Sequence, residues 1–87
     1  MIIKLHKDFI KQAKRLKPAQ KKRLEKAMKL LQKDPNHPDL YNHQLSGSWK
    51  GYRCSAFVGD WRAHFEFTDN ETVAWFIACG THSQLYK

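Results

Sequence analysis

Hydrophobic positions recur along this chain first with a helical and then with a strand period. Ile2, Ile3 and Leu5 precede a charged run and predict a short first strand. Phe9, Ala13 and Leu16 then recur at i, i+4 and i+7, with Lys7, Lys11, Lys14 and Arg15 on the other faces, which predicts a first helix. Asp8 stands where a capping or first-turn acid favours the helix start. Lys17-Pro18 ends it, because proline disfavours helical backbone in the residue before it and is itself tolerated at a first helical position. Leu24, Ala27, Met28 and Leu31 give a second helix from Pro18, stopped by Asp34-Pro35. The two read as an amphipathic helical hairpin whose seam is core.

Beyond the turn-rich loop Pro35-Asn36-His37-Pro38-Asp39 the period falls to two. Tyr52, Cys54, Ala56 and Val58 alternate with Arg53, Ser55 and Phe57; Trp61, Ala63, Phe65 and Phe67 alternate with Arg62, His64 and Glu66. A two-residue turn at Gly59-Asp60 would pair Val58 with Trp61, Ala56 with Ala63, Cys54 with Phe65 and Tyr52 with Phe67 on an apolar face. Phe57–Arg62, Ser55–His64 and Arg53–Glu66 would then pair on the other. A third strand, Thr72 to Cys79, is apolar on both faces, as a central strand is. Gly80-Thr81-His82 closes it, and residues 83–87 form a short tail. The expected architecture is α+β: one small domain over residues 1–87, β-α-α-β-β-β, an antiparallel sheet with the helical hairpin packed on one face. The opposite face is left for solvent or a ligand.

Charge changes this picture. The 87 residues carry a formal net charge of +8 and a sequence pI of about 9.7. Residues 1–33 hold 12 Lys and Arg against two acids, and residues 34–87 hold four against six. A polyanion is the expected partner, with the helices as electrostatic anchor and the strands as the working part. Lys21, Lys22, Arg23 and Lys26 on the second helix could follow a phosphate backbone without sequence preference, or could simply keep the surface solvated. Cys54 and Cys79 lack metal-ligand or CxxC spacing and read as small core residues of a reducing compartment. The opening Met1–His6 has no long apolar run, and no stretch approaches 18 apolar residues, so neither secretion nor membrane contact is expected; the cytoplasm is the expected location.

The stretch His43-Gln44-Leu45-Ser46-Gly47-Ser48-Trp49-Lys50-Gly51-Tyr52-Arg53, with Asp60-Trp61 and Gly80-Thr81-His82 after it, resembles the YafQ branch of the RelE/YafQ superfamily of bacterial and archaeal toxins. Gly59-Asp60-Trp61-Arg62 is similar to the Gly-Asp-Tyr-Arg of the broader RelE group, and Tyr86 falls at the aromatic position both branches use near the C-terminus. The resemblance covers nearly the whole chain. It implies a ribosome-dependent mRNA endonuclease of a type II toxin–antitoxin pair, whose partners are a cognate antitoxin, the ribosome and mRNA. It implies acid/base positions at His43, Asp60 and His82, a phosphate-stabilising Arg62, a C-terminal aromatic at Tyr86, and RNA contacts from Arg53 and Lys50. Two positions depart from the pattern: a strand histidine of the YafQ branch aligns with Ala56, and a basic strand residue of the RelE branch with Ser55.

Such a reaction needs a base for the 2′-hydroxyl, positive charge for the phosphorane-like transition state and an acid for the leaving 5′-oxygen. Histidine fills either proton role near neutrality, and the arginine fork binds two phosphate oxygens. No metal or other cofactor is required. Each residue also has a structural reading: His43 could hydrogen-bond backbone, Asp60 could merely form the turn, Arg53 could be spent on Glu66, and Arg62 could stack on Phe57. His64 is a substitute for the missing strand histidine. A domain of this fold that binds RNA or antitoxin without cleaving is the alternative; a DNA-binding regulator lacks a helix-turn-helix.

Overall fold

The computed structural model describes residues 1–86. Its elements are β1 (Ile2–Leu5), α1 (Lys7–Lys14), α2 (Pro18–Lys33), β2 (His43–Gln44), β3 (Arg53–Val58), β4 (Trp61–Thr68), β5 (Val73–Thr81) and α3 (His82–Leu85), with 3-10 turns at Pro38–Leu40 and Gly47–Trp49. One sheet runs in the order β1-β5-β4-β3-β2. Its neighbours are antiparallel except at one edge, where β1 lies parallel to β5 with Ile3 beside Ala74 and Leu5 beside Phe76. The sheet is therefore mixed: the helical hairpin carries the chain from β1 at one edge to β2 at the other, and the antiparallel run from β2 to β5 brings β5 back beside β1.

The helix boundaries follow local chemistry. His6 caps α1 by accepting the Asp8 backbone N–H on Nδ1 at 3.2 Å, leaving Asp8 in the first turn. Pro18 opens α2, and the Lys17 backbone N–H donates to Gln20 Oε1 at 2.9 Å. Phe9, Leu24 and Leu31 from the helices and Leu16 from the turn between them are buried against Phe57, Ala63, Phe65, Ala74 and Phe76 of the sheet. Phe76 centres this layer, its ring 5.1 Å from Phe65 and 5.4 Å from Phe9. Each buried ring contributes roughly 1.5–3 kcal/mol.

The β3–β4 register differs from the sequence expectation. Val58 does pair with Trp61, but a bulge at Phe57 shifts everything beyond it: Ala56 pairs with Arg62, Ser55 with Ala63, Cys54 with His64, and Arg53 with Phe65. Since strand side chains alternate, one extra residue exchanges the two faces of β3. Phe57 and Ser55 belong to the helix-covered side, where Phe57 joins the core and the Ser55 hydroxyl donates to the Leu40 carbonyl at 2.8 Å. Cys54 and Ala56 turn to the other side. The predicted Arg53–Glu66 and Phe57–Arg62 pairs do not form.

A second bulge lies opposite, between the His64–Ala78 and Phe65–Phe76 pairs, so Ile77 is the extra residue of β5. Cys79 joins the helix-side core as expected, whereas Cys54 lies outside it, on the opposite face; both thiols are free and buried. The expected tail is in fact a helical turn over residues 82–85. Thr81 Oγ1 accepts the Gln84 N–H at 3.4 Å while Gln84 Oε1 accepts the Thr81 N–H at 2.9 Å, a capping box. Lys87, also read as tail, lies outside the described residues. Among the described residues no helix is long and apolar enough to cross a membrane.

Candidate active site

The face of the sheet away from α1 and α2 carries two cross-strand rows. His43, Cys54, His64 and Ala78 are successive partners across β2, β3, β4 and β5; beside them run Ala56, Arg62 and Gly80. α3 closes over the end of these rows, against Gly80. A Cβ on Gly80 would lie 2.9 Å from Gln84 Oε1, so this close approach depends on the missing side chain.

His64 sits at the centre and is wholly buried. Its Nε2 lies 3.2 Å from Tyr86 Oη, its ring centroid lies 4.3 Å from Trp49, and its Nδ1 has no hydrogen-bond partner. Burial, followed by the nearby charges of Arg62 and His43, holds its pKa well below the usual value, at about 4. A histidine that is neutral at pH 7 and shielded from solvent cannot meet a substrate. His64 is a support for Tyr86, and the expectation that it replaces the missing strand histidine is corrected on that ground.

Trp49 fixes the same corner from outside by donating its indole N–H to the Leu85 carbonyl at 3.1 Å. α3 thus carries His82 and Tyr86 over the site in a defined place, with the two rings 4.6 Å apart. Asp60, at the β3–β4 turn, accepts the His82 backbone N–H on Oδ2 at 3.2 Å and leaves the imidazole exposed. Its Oδ1 is 3.7 Å from Arg62 Nη2, an ion pair open to water. Such pairs contribute at most about 1 kcal/mol. Arg62 is therefore not committed to Asp60, and a phosphate taking two N–H groups at once would compete well. Arg62 also lies beside the Cys54 thiol, whose pKa burial pushes up against the pull of the guanidinium. Burial likewise raises the Tyr86 phenol, with the Cys54 thiol adding to the rise.

His43 is exposed on β2, its Nδ1 2.8 Å from the Tyr41 carbonyl. A carbonyl oxygen only accepts, so Nδ1 carries the hydrogen and the neutral ring keeps its lone pair on Nε2. The five predicted acid/base, phosphate and aromatic positions thus share one face. The predicted RNA contacts divide. Arg53 leaves this face: its Nε donates to Asn42 Oδ1 at 2.6 Å and its guanidinium lies over Phe67, in a cleft of about 580 Å³ that Lys50 also lines. Lys21, Lys22, Arg23 and Lys26 are exposed on α2, across the sheet. Cys54 and Trp49 escaped sequence reasoning as site components, Cys54 because the face of β3 was misassigned. The Thr81-x-x-Gln84 pattern would have announced α3. Among the described residues no group of three or more His, Cys, Asp or Glu could hold a metal ion.

The family model for the bacterial toxin of type II toxin-antitoxin systems, YafQ, matches residues 1–87. The mRNA interferase toxin YafQ of Escherichia coli (strain K12) is 40% identical over 50 residues, 56% of this chain and 52% of that protein. The match thus spans about half the length of that curated relative. The crystal structure of YafQ from E. coli strain BL21(DE3) is 30% identical, with a TM-score of 0.79 over 98% of this chain and 97% of that one. YafQ in the E. coli DinJ-YafQ complex superposes with a TM-score of 0.76 at 30% identity, over the same 98% and 97%.

Proposed function

The chain belongs to the YafQ family of bacterial type II toxins, and from that premise we propose that it is an endoribonuclease that cleaves mRNA on the ribosome and is held inactive by a cognate antitoxin. The observation that carries this reading is the gathering of His43, Asp60, Arg62, His82 and Tyr86 on one sheet face, with His43 anchored through Nδ1 and His82 through its backbone N–H so that His43 Nε2 and the His82 ring are left for a substrate. The antitoxin follows from the DinJ-YafQ complex of the similar E. coli protein. The cytoplasm, where ribosomes and mRNA meet, is the corresponding location.

In this reading His43 Nε2 takes the proton of the 2′-hydroxyl and O2′ forms a bond to phosphorus. The P–O5′ bond breaks, and protonated His82 gives its proton to the leaving O5′. The products are a 2′,3′-cyclic phosphate and a 5′-hydroxyl end. Arg62 neutralises the equatorial oxygens as charge builds on them. Asp60 fixes the turn that carries His82, and Tyr86 offers a ring on which a base pulled out of A-form geometry can stack. These steps ask nothing of a metal ion.

One observation favours a slower enzyme, or a non-cleaving binding module. Ala56 stands opposite Arg62, within the site, where the family pattern has a histidine. Mapping 5′ ends on ribosomes programmed with mRNA decides between these: new ends on adding the protein support cleavage, and their absence sinks it. Growth arrest on induction, relieved by a co-expressed small acidic partner, tests the toxin–antitoxin role.

A further inference from the structure

The basic face of α2 and the site face lie on opposite sides of the sheet, which raises the question of how one RNA strand could use both. β2 covers only Arg53 and Cys54 of β3, so the edge from Ala56 onward is left open. Against this open edge lies a cleft of about 390 Å³, lined by Arg23 and Lys26 of α2, by Asp39 and Tyr41 of the preceding loop, and by Ala56 and Val58. Ligand clefts take about 300–1,000 Å³.

Four features of the cleft point to a ligand. Tyr41 is 72% exposed with its backbone in the left-handed region at φ 49°, a conformation that costs an L-residue about 1 kcal/mol, so the ring is held out by the chain path and not by packing. The carbonyl of the same residue fixes His43, which makes aromatic platform and site histidine one unit. Ala56 lines the cleft and is also the cross-strand partner of Arg62, so the cleft and the site meet at this residue of the sheet edge. Its charge is one-sided: two cations stand on the α2 wall, while Asp39 on the facing turn repels an anion toward them.

We propose that this cleft is a nucleotide subsite: the RNA residue next to the scissile phosphate passes over Ala56, stacks its base on Tyr41, and places its outer phosphate against Arg23 and Lys26. The strand thereby turns round the sheet edge from the site onto the basic helix. An aromatic face with flanking cations suits single-stranded RNA of any sequence, since every base has a π-face. The inference rests on the reading of the chain as a ribonuclease.

The test titrates the whole chain with end-labelled, fully 2′-O-methylated hexauridylate, which cannot be cleaved, and measures ribosome-dependent cleavage beside it. Tyr41→Asn removes the ring while keeping a residue that tolerates left-handed backbone; Tyr41→Phe keeps the ring. Tyr41→Asn weakens RNA binding about 5-fold or more, and raises KM for cleavage with a smaller effect on kcat, while Tyr41→Phe restores both. Arg23→Ala with Lys26→Ala flattens the slope of log Kd against log salt by about 1.4. If wild type cleaves but Tyr41→Asn matches it in Kd and KM, the subsite falls and the ribonuclease reading stands. If wild type does not cleave yet binds RNA in a ring-dependent way, the ribonuclease reading falls and the subsite stands. Neither binding nor cleavage overturns both. An acidic peptide that protects the Ala56–Val58 amides from hydrogen exchange where the RNA does not overturns the subsite in favour of a strand-adding protein.

Discussion

Replacing His64 by leucine should leave stability at pH 7 nearly unchanged and make the protein less sensitive to acid. At pH 7 the imidazole contributes one hydrogen bond to Tyr86, worth about 1 kcal/mol, but also buries an unpartnered Nδ1 that costs a comparable amount. Leucine removes both. The acid side differs because the His64 pKa is about 4 in the fold against 6.5 unfolded. Below 6.5 the unfolded chain binds a proton that the fold refuses, so stability present above 6.5 is lost as pH falls toward 4. The full gap corresponds to roughly 3.4 kcal/mol, and to roughly 2 kcal/mol by pH 5. With an m-value near 1–2 kcal/mol/M, the urea midpoint of the wild type should drop by about 1–2 M between pH 7 and pH 5 through His64 alone. Carboxylates also titrate toward the acid end, so the comparison is between slopes: urea midpoints of wild type and His64→Leu at half-unit steps from pH 7.5 to 4.5. The two curves should meet near neutrality and diverge below 6.5, with the variant the more stable. Parallel curves would refute the neutral, buried imidazole and with it the support of Tyr86.

Gly80→Ala should drive a Cβ against the Gln84 side chain, break the capping box and loosen α3; melting loses about 1–2 kcal/mol, and cleavage falls more steeply than stability because His82 and Tyr86 move together. Arg62→Ala should lower kcat about 100-fold or more with little change in KM, and Arg62→Lys should recover only part of that, since an ammonium cannot grip two phosphate oxygens; single-turnover cleavage on programmed ribosomes reads both. His43→Ala and His82→Ala should each lower kcat about 100-fold or more, and a substrate whose leaving 5′-oxygen is replaced by sulfur, which needs no acid, should restore cleavage to His82→Ala alone; rescue of His43→Ala instead would reverse the assignment of base and acid. Ala56→His should raise cleavage about 10-fold or more if the missing strand histidine limits the rate, and initial-rate measurement of new 5′ ends decides it.

Periodicity made most of the fold legible. The 3.6-residue recurrence of Phe9, Ala13 and Leu16 and of Leu24, Ala27, Met28 and Leu31 located both long helices, and prolines set their boundary. Alternation located β3 and β4, with Gly59-Asp60 marking their turn, and a run apolar on both faces located β5. What failed was the phase of β3. Tyr52, Cys54, Ala56 and Val58 are the more apolar alternate set, so pattern alone assigned them to the core. Phe57 overrides that pattern: its ring fills the helix-side core, and the bulge that admits it reverses every residue before it. A bulge has no composition of its own here, which is why register was the unreadable part. β2 was invisible for a related reason, being two residues held only by pairing with Arg53 and Cys54.

That reversal also explains how the site tolerates its departures from the family pattern. With the unbulged register Ala56 would face Ala63 inside the core, and a histidine there would be a buried polar group with nothing to bond. With the bulge Ala56 faces Arg62, so the missing histidine falls beside the guanidinium and outside the core. Ser55, where the RelE pattern has a base, is turned inward and satisfied by the Leu40 carbonyl, so a lysine there would carry its charge into the helix-side layer. The two departures are therefore unequal. Serine at 55 answers to packing, while alanine at 56 answers to chemistry, and only the second can be reversed without disturbing the fold.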